Sequence, residues 1–132
     1  MYSDYHLHTE FSDDSEYPIE SLVQDAIQMG LEEICFTDHV DYGVKVEFGS
    51  PNARIYKGKP VTNVDYPRYF ETIKKLQTHY NKQIKIKAGL EFGVQLHTMD
   101  AFHNLVTTYP LDFIILSIHQ VDDQEFWTQE FQ

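Results

Sequence analysis

The sequence has one cysteine, one tryptophan and only ten lysines and arginines against twenty-one acidic residues. The lone thiol, Cys35, excludes a disulfide framework within a monomer, and its setting, Ile34-Cys35-Phe36, reads as a small buried core residue. No apolar run approaches the 18 residues of a membrane span, so no membrane partner is expected. Residues 2–10 are polar and carry no basic n-region, so no signal peptide is read and a cytoplasmic location follows. The net charge of -11 argues against nucleic acid as a partner, because phosphate backbones need basic surfaces. A phosphorylated small molecule stays open, since bound cations reverse the local sign of a carboxylate-rich pocket. There is no Gly-rich phosphate loop and no Gly-x-Ser-x-Gly elbow.

What is present is an ordinary globular mixture, 42% hydrophobic and 23% charged, in 132 residues, enough for one domain with a modest core. Ile19, Leu22, Val23, Ala26 and Ile27 recur at helical spacing, with Pro18 suited to the first turn and Gly30 to the C-cap. A second helix starts near Pro67 and turns Tyr69, Phe70, Ile73, Leu76 and Tyr80 inward; a third covers 99–108 with Phe102, Leu105 and Val106 inward. Strands are expected over 3–6, 33–37, 84–90 and 113–118, the last one fully buried. Residues 40–64 read as a long loop broken by Gly43, Gly49, Pro51, Gly58 and Pro60. The order β-α-β-α-β-α-β implies an α/β fold with parallel strands and right-handed crossovers.

His6 and His8, two residues apart on an extended segment, point to one side and offer two neutral nitrogens to one metal ion. Each further strand also ends in a candidate ligand: His39 after Thr37-Asp38, Glu91 after Gly89-Leu90, and His119 after Ser117-Ile118. Parallel α/β folds collect function at the carboxyl ends of their strands, so the four ends point to one rim. Mixed nitrogen and carboxylate donors suit Zn²⁺, Mn²⁺ or Fe²⁺ better than Ca²⁺ or Mg²⁺. Each residue alone has a plainer reading: a hydrogen-bonded strand-end histidine, or a glutamate paired with lysine. Asp13 and Asp14 either ligate or simply turn the chain into the first helix. His79 and His103 fall on helix surfaces, and His97 reads as a loop or capping residue.

Asp4-Tyr5-His6-Leu7-His8-Thr9, Phe36-Thr37-Asp38-His39, Gly89-Leu90-Glu91-Phe92-Gly93 and Ser117-Ile118-His119 resemble, in order, four motifs of the polymerase-and-histidinol-phosphatase (PHP) family of metal-dependent phosphoesterases. The wording around Glu33–His39 and Gly89–Gly93 is similar to the histidinol-phosphate phosphatase branch. The resemblance implies the first half of a distorted (β/α)7 TIM-like barrel, with residues 1–132 a single partial domain whose later strands are absent. It implies two or three divalent ions: His6 and His8 on the first, Glu91 bridging first and second, His119 on the second, and Asp14 with His39 on a third. Asp13 is the alternative to Asp14 if the register is off by one. The family's closing Asp-x-His motif and a further His have no counterpart, because Asp122 and Asp123 come too soon and lack the paired His, so partial metal occupancy is expected.

The activity implied is hydrolysis of L-histidinol phosphate to L-histidinol and phosphate, a step in histidine biosynthesis, by metal-activated water with no side-chain nucleophile. The residues that grip phosphate are not identified: they belong either to the missing half or to the long loop, where Arg54 and Lys57 stand. The alternative is a catalytically incompetent metal-binding fragment, or a half barrel that pairs with another copy to cover its open edge.

Overall fold

Apolar side chains that alternate along the strands and recur at helical spacing between them build a layered α/β unit in the computed structural model, which describes residues 2–118 and 120–125. The elements are β1 (Ser3–Leu7), α1 (Ile19–Gln28), β2 (Glu33–Val40), β3 (Ile55–Tyr56), β4 (Lys59–Pro60), α2 (Tyr66–His79), β5 (Lys85–Gly93), a 3₁₀ turn (Leu96–Thr98), α3 (Met99–Thr108), β6 (Phe113–Ser117), β7 (Gln120–Val121) and β8 (Gln124–Glu125). The main sheet has the order β1-β2-β5-β6, and all three pairings are parallel. The expected alternation of strand and helix is therefore the observed one.

Side-chain alternation splits the sheet into two faces. Ile34, Phe36 and Val40 on β2 and Ile86, Ala88, Leu90 and Phe92 on β5 join one buried cluster with Val23 of α1, Tyr69 and Ile73 of α2, and Phe102 and Leu105 of α3. The opposite face carries Cys35, Thr37 and His39 on β2, and Gly89, Glu91 and Gly93 on β5. That face is strongly curved. Tyr5 on β1 and Phe113 on β6 meet edge-to-face with ring centroids 5.1 Å apart. They lie three strands apart, about 14 Å in a flat sheet. The curl leaves little room inside: a Cβ on Gly89 would lie 2.5 Å from the Phe113 carbonyl oxygen and 2.9 Å from Cys35 Sγ.

Four expectations need correction. β2 continues past Thr37 to Val40, because eight consecutive residues pair with β5, so Asp38 and His39 lie within the strand. β1 carries an extra residue between Asp4 and Leu7, a bulge of the kind that re-aims side chains at a strand end. Residues 40–64 are not an open loop: β3 and β4 form a hairpin, and Val46 bridges Thr62. Its two turn residues, Lys57 (φ 51°) and Gly58 (φ 79°), both take the left-handed conformation of a two-residue hairpin turn. Finally, β6 is not fully buried. Leu116 is 67% exposed and Phe113 38%, because β6 is the last strand of the sheet among the described residues.

Cys35 is fully buried, and desolvation pushes its thiol up to about 12. Reaction with a thiol reagent at pH 8 is therefore expected only after unfolding; rapid labelling of the native chain would contradict the packing described. No helix of the described residues is long and apolar enough to cross a membrane.

Candidate metal centre

Parallel pairing places His39 and Glu91 directly opposite each other on β2 and β5, so both side chains rise from the concave face at the same height. His6, within the bulge of β1, and His8, just past the strand, reach the same point. Asp14 arrives from the loop that follows. The result is a continuous chain of contacts. Glu91 Oε1 lies 2.5 Å from His6 Nε2 and 3.3 Å from His8 Nε2, while its Oε2 lies 3.2 Å from His39 Nδ1. Asp14 Oδ2 lies 3.0 Å from both His8 Nδ1 and His39 Nε2. The His8 and His39 rings meet with centroids 4.2 Å apart.

Two donor sets emerge, His6–His8–Glu91 and His8–Asp14–His39; in each, the ligand atoms lie within 4.8 Å of one another. A divalent ion about 2.0–2.2 Å from nitrogen and oxygen donors fits between groups at that spacing. The donor chemistry, imidazole with carboxylate, is that of Zn²⁺, Mn²⁺ or Fe²⁺. Glu91 is only 3% exposed, so its charge is held in a low-dielectric setting that favours cationic company. Around His8, burial depresses ring protonation, but the Asp14 hydrogen bond and the Asp14 and Glu91 charges outweigh it and raise the pKa. For Asp14, burial acts upward, yet the hydrogen bonds from His39 and His8 hold the carboxyl far below the usual carboxylate range.

The structure brings together five of the six sequence candidates, His6, His8, Asp14, His39 and Glu91. His119 lies outside the described residues. Asp13 turns away: its Oδ1 accepts from Lys45 Nζ at 2.7 Å, and Lys45 also binds Asp41 Oδ2 at 2.6 Å. Of the two, Asp14 is the one that meets the imidazoles. His97 bonds Asp123 at 2.7 Å, tying the 3₁₀ turn to the β7–β8 turn, while His79 and His103 are exposed on their helices. Arg54 and Lys57 are exposed; Lys57 sits at the hairpin turn beside the cavity that Asp14, Ser15 and Glu16 help to line.

Sequence reasoning gave no role to Asp38, yet it organises the loop behind the centre. Facing the helices rather than the rim, it is fully buried and accepts from Thr9 N (2.6 Å), Thr9 Oγ1 (2.9 Å) and Ser12 Oγ (2.6 Å). Burial pushes the Asp38 carboxyl upward, against the pull of those three donors. Ser12 Oγ in turn accepts from the backbone N–H of His39 at 2.9 Å, which couples the loop to a donor of the centre. The only signal was the position of Asp38 beside His39 in the second motif.

A model of the PHP domain matches residues 4–132. A histidinol-phosphatase of Lactococcus lactis is 37% identical over 124 residues, which make up 94% of this chain and 41% of the relative. A histidinol-phosphatase of Bacillus subtilis is 29% identical, covering 88% of this chain and 43% of the relative. The chain thus spans about two fifths of the curated relatives it matches. Among solved structures, histidinol phosphate phosphatase from L. lactis, complexed with zinc, L-histidinol and phosphate, superposes with TM-score 0.77 at 38% identity over 94% of this chain and 42% of that one. A putative histidinol phosphatase from Listeria monocytogenes superposes at TM-score 0.68 with 21% identity, which speaks for the fold alone, and covers 89% of this chain and 44% of that one. The curled four-stranded sheet is accordingly the N-terminal half of a TIM-like barrel of this type. A domain match over nearly the whole sequence, on a sheet whose concave rim gathers imidazoles and carboxylates, shows that the chain belongs to the PHP-domain family.

Proposed function

We propose that this chain supplies the first half of the active site of a metal-dependent phosphomonoester hydrolase of histidinol-phosphatase type, acting on L-histidinol phosphate to give L-histidinol and phosphate. The observation that carries the reading is the convergence of His6, His8, Glu91, Asp14 and His39 on one rim in two donor sets. Support for the substrate comes from the L. lactis relative, whose solved structure holds zinc, L-histidinol and phosphate. In this reading His6, His8 and Glu91 hold one divalent ion, zinc first among the candidates. Asp14 and His39 hold another, and His119 adds a ligand beside Glu91. Divalent ions bound there would neutralise phosphoryl oxygens and lower the pKa of a water toward neutrality. The chain's own residues fix donor positions, keep Glu91 dry and require no side-chain nucleophile. A single partial PHP domain and a cytoplasmic setting belong to the same proposal; the lone buried thiol is consistent with the setting.

A second reading is favoured by the flank of β6, which no strand covers among the described residues and where Leu116 and Ile118 are 67% and 64% exposed. There the chain binds metal but turns over nothing alone, and covers that flank with another copy. A phosphatase assay on the purified chain with added Zn²⁺ or Mn²⁺, run beside His8→Ala and size-exclusion chromatography, separates the two. Release of phosphate from histidinol phosphate that disappears in His8→Ala supports the hydrolase. A folded, metal-loaded chain without turnover rejects it for this chain.

A further inference from the structure

Lys59 touches none of the candidate metal donors, yet it is built into the loop that carries one of them. Its Nζ donates to the carbonyl oxygens of Glu10 (2.8 Å), Ser12 (2.5 Å) and Ser15 (2.9 Å). An ammonium has three protons, and all three meet carbonyls of one short segment that brackets Asp13 and Asp14. The segment lies outside the helices and main-sheet strands and carries acidic side chains at Glu10, Asp13, Asp14 and Glu16. Left alone it would repel itself. Lys59 reaches it from the β3–β4 hairpin, where Ile55 pairs with Pro60 and Tyr56 with Lys59, a register set by the Lys57-Gly58 turn. On the far side, Lys45 draws Asp13 away and Ser12 is tied to Asp38, so the backbone has one course and Asp14 is delivered to His8 and His39.

We infer that Lys59 is a positioning residue for the Asp14–His39 donor pair: a built-in cation that gathers the carbonyls of the Asp14 loop and thereby sets the metal affinity of that pair. The inference rests on the reading of those two side chains as metal donors. Partners that only orient a metal ligand typically change affinity by about 10–100-fold when removed.

The test is a Zn²⁺ titration of the full chain against a competing chelator, comparing wild type, Asp14→Asn, Lys59→Met and the double variant, with apo melting temperature read alongside. Asp14→Asn identifies the binding event that depends on Asp14. Lys59→Met is expected to weaken that same event by about 10-fold, and to add nothing in the Asp14→Asn background, because both changes act through one carboxylate. Wild-type affinity in Lys59→Met, or an equal loss with and without Asp14, overturns the inference. Absence of any Asp14-dependent event in wild type overturns the metal reading beneath it. If Lys59→Met does not fold, Lys59→Arg serves. It keeps the charge, but its donors spread over a planar fork and do not match three carbonyls gathered around one nitrogen. The same event should weaken, and an unchanged affinity in folded Lys59→Arg overturns the inference.

Discussion

Glu91→Gln is expected to remove tight Zn²⁺ binding by the chain, with a loss of affinity beyond the roughly 10–100-fold that follows removal of an outer partner. The residue has an unusual share of the centre. One carboxylate oxygen faces His6 and His8 and the other faces His39, so a single side chain links donors from β1, β2 and β5. Glutamine keeps the shape but replaces a charged oxygen with an N–H₂ group, which cannot donate an electron pair to a metal. The same replacement takes a charge out of a site only 3% exposed, so the apo fold should survive it. The expected result is therefore a folded, soluble variant with normal far-UV circular dichroism and no high-affinity event in a calorimetric Zn²⁺ titration. Wild-type affinity in a folded Glu91→Gln sample would remove Glu91 from the ligand set.

The second large effect falls on stability. Asp38→Ala should lower the unfolding free energy by about 3 kcal/mol or more. Three donors converge on this one fully buried carboxylate: the Thr9 N–H, the Thr9 hydroxyl and the Ser12 hydroxyl. Alanine leaves them without a partner in a place where Thr9 and Ser12 are themselves fully buried. With a urea slope of about 1–3 kcal/mol/M, the midpoint should fall by about 1–3 M. Asp38→Asn should sit between the two, since its amide keeps one acceptor oxygen and turns donors toward donors. A midpoint unchanged in Asp38→Ala would mean that the carboxylate contributes no more than it costs to bury. The loop that Asp38 anchors also carries Asp14, so loss of zinc affinity is expected to accompany loss of stability here, unlike in Glu91→Gln.

These two residues differ in how far the sequence alone carries them. Glu91 stood out because it ends an apolar run and matches a family motif; the fold then places it within β5, opposite His39. Asp38 sits in an equally recognisable motif, but its role depends on Thr9 and Ser12, nearly thirty residues earlier, and alternation turns it away from the rim that its neighbour His39 faces. Asp13 and Asp14 are indistinguishable by spacing. Lys45, more than thirty residues downstream, separates them by taking Asp13. Lys59 gave no local sign at all, since a lysine in a turn-rich stretch looks like any solvated charge. β6 reads as a buried strand from its apolar run, and its exposure follows only from its place at the margin of the sheet among the described residues.

Local chemistry, then, was enough for the order of strands and helices, the helix faces and the choice of candidate donors. Periodicity, caps and motif wording are properties of neighbours in the chain. The tertiary structure decided which candidate donors meet and what holds them there: the opposition of His39 and Glu91 across β2 and β5, the approach of Asp14 rather than Asp13 to the imidazoles, and the anchoring of their loop by Asp38, Lys45 and Lys59. These are long-range contacts set by sheet register and curvature. Register and curvature depend on the packing of all the strands and helices together, so no single segment of the sequence specifies them.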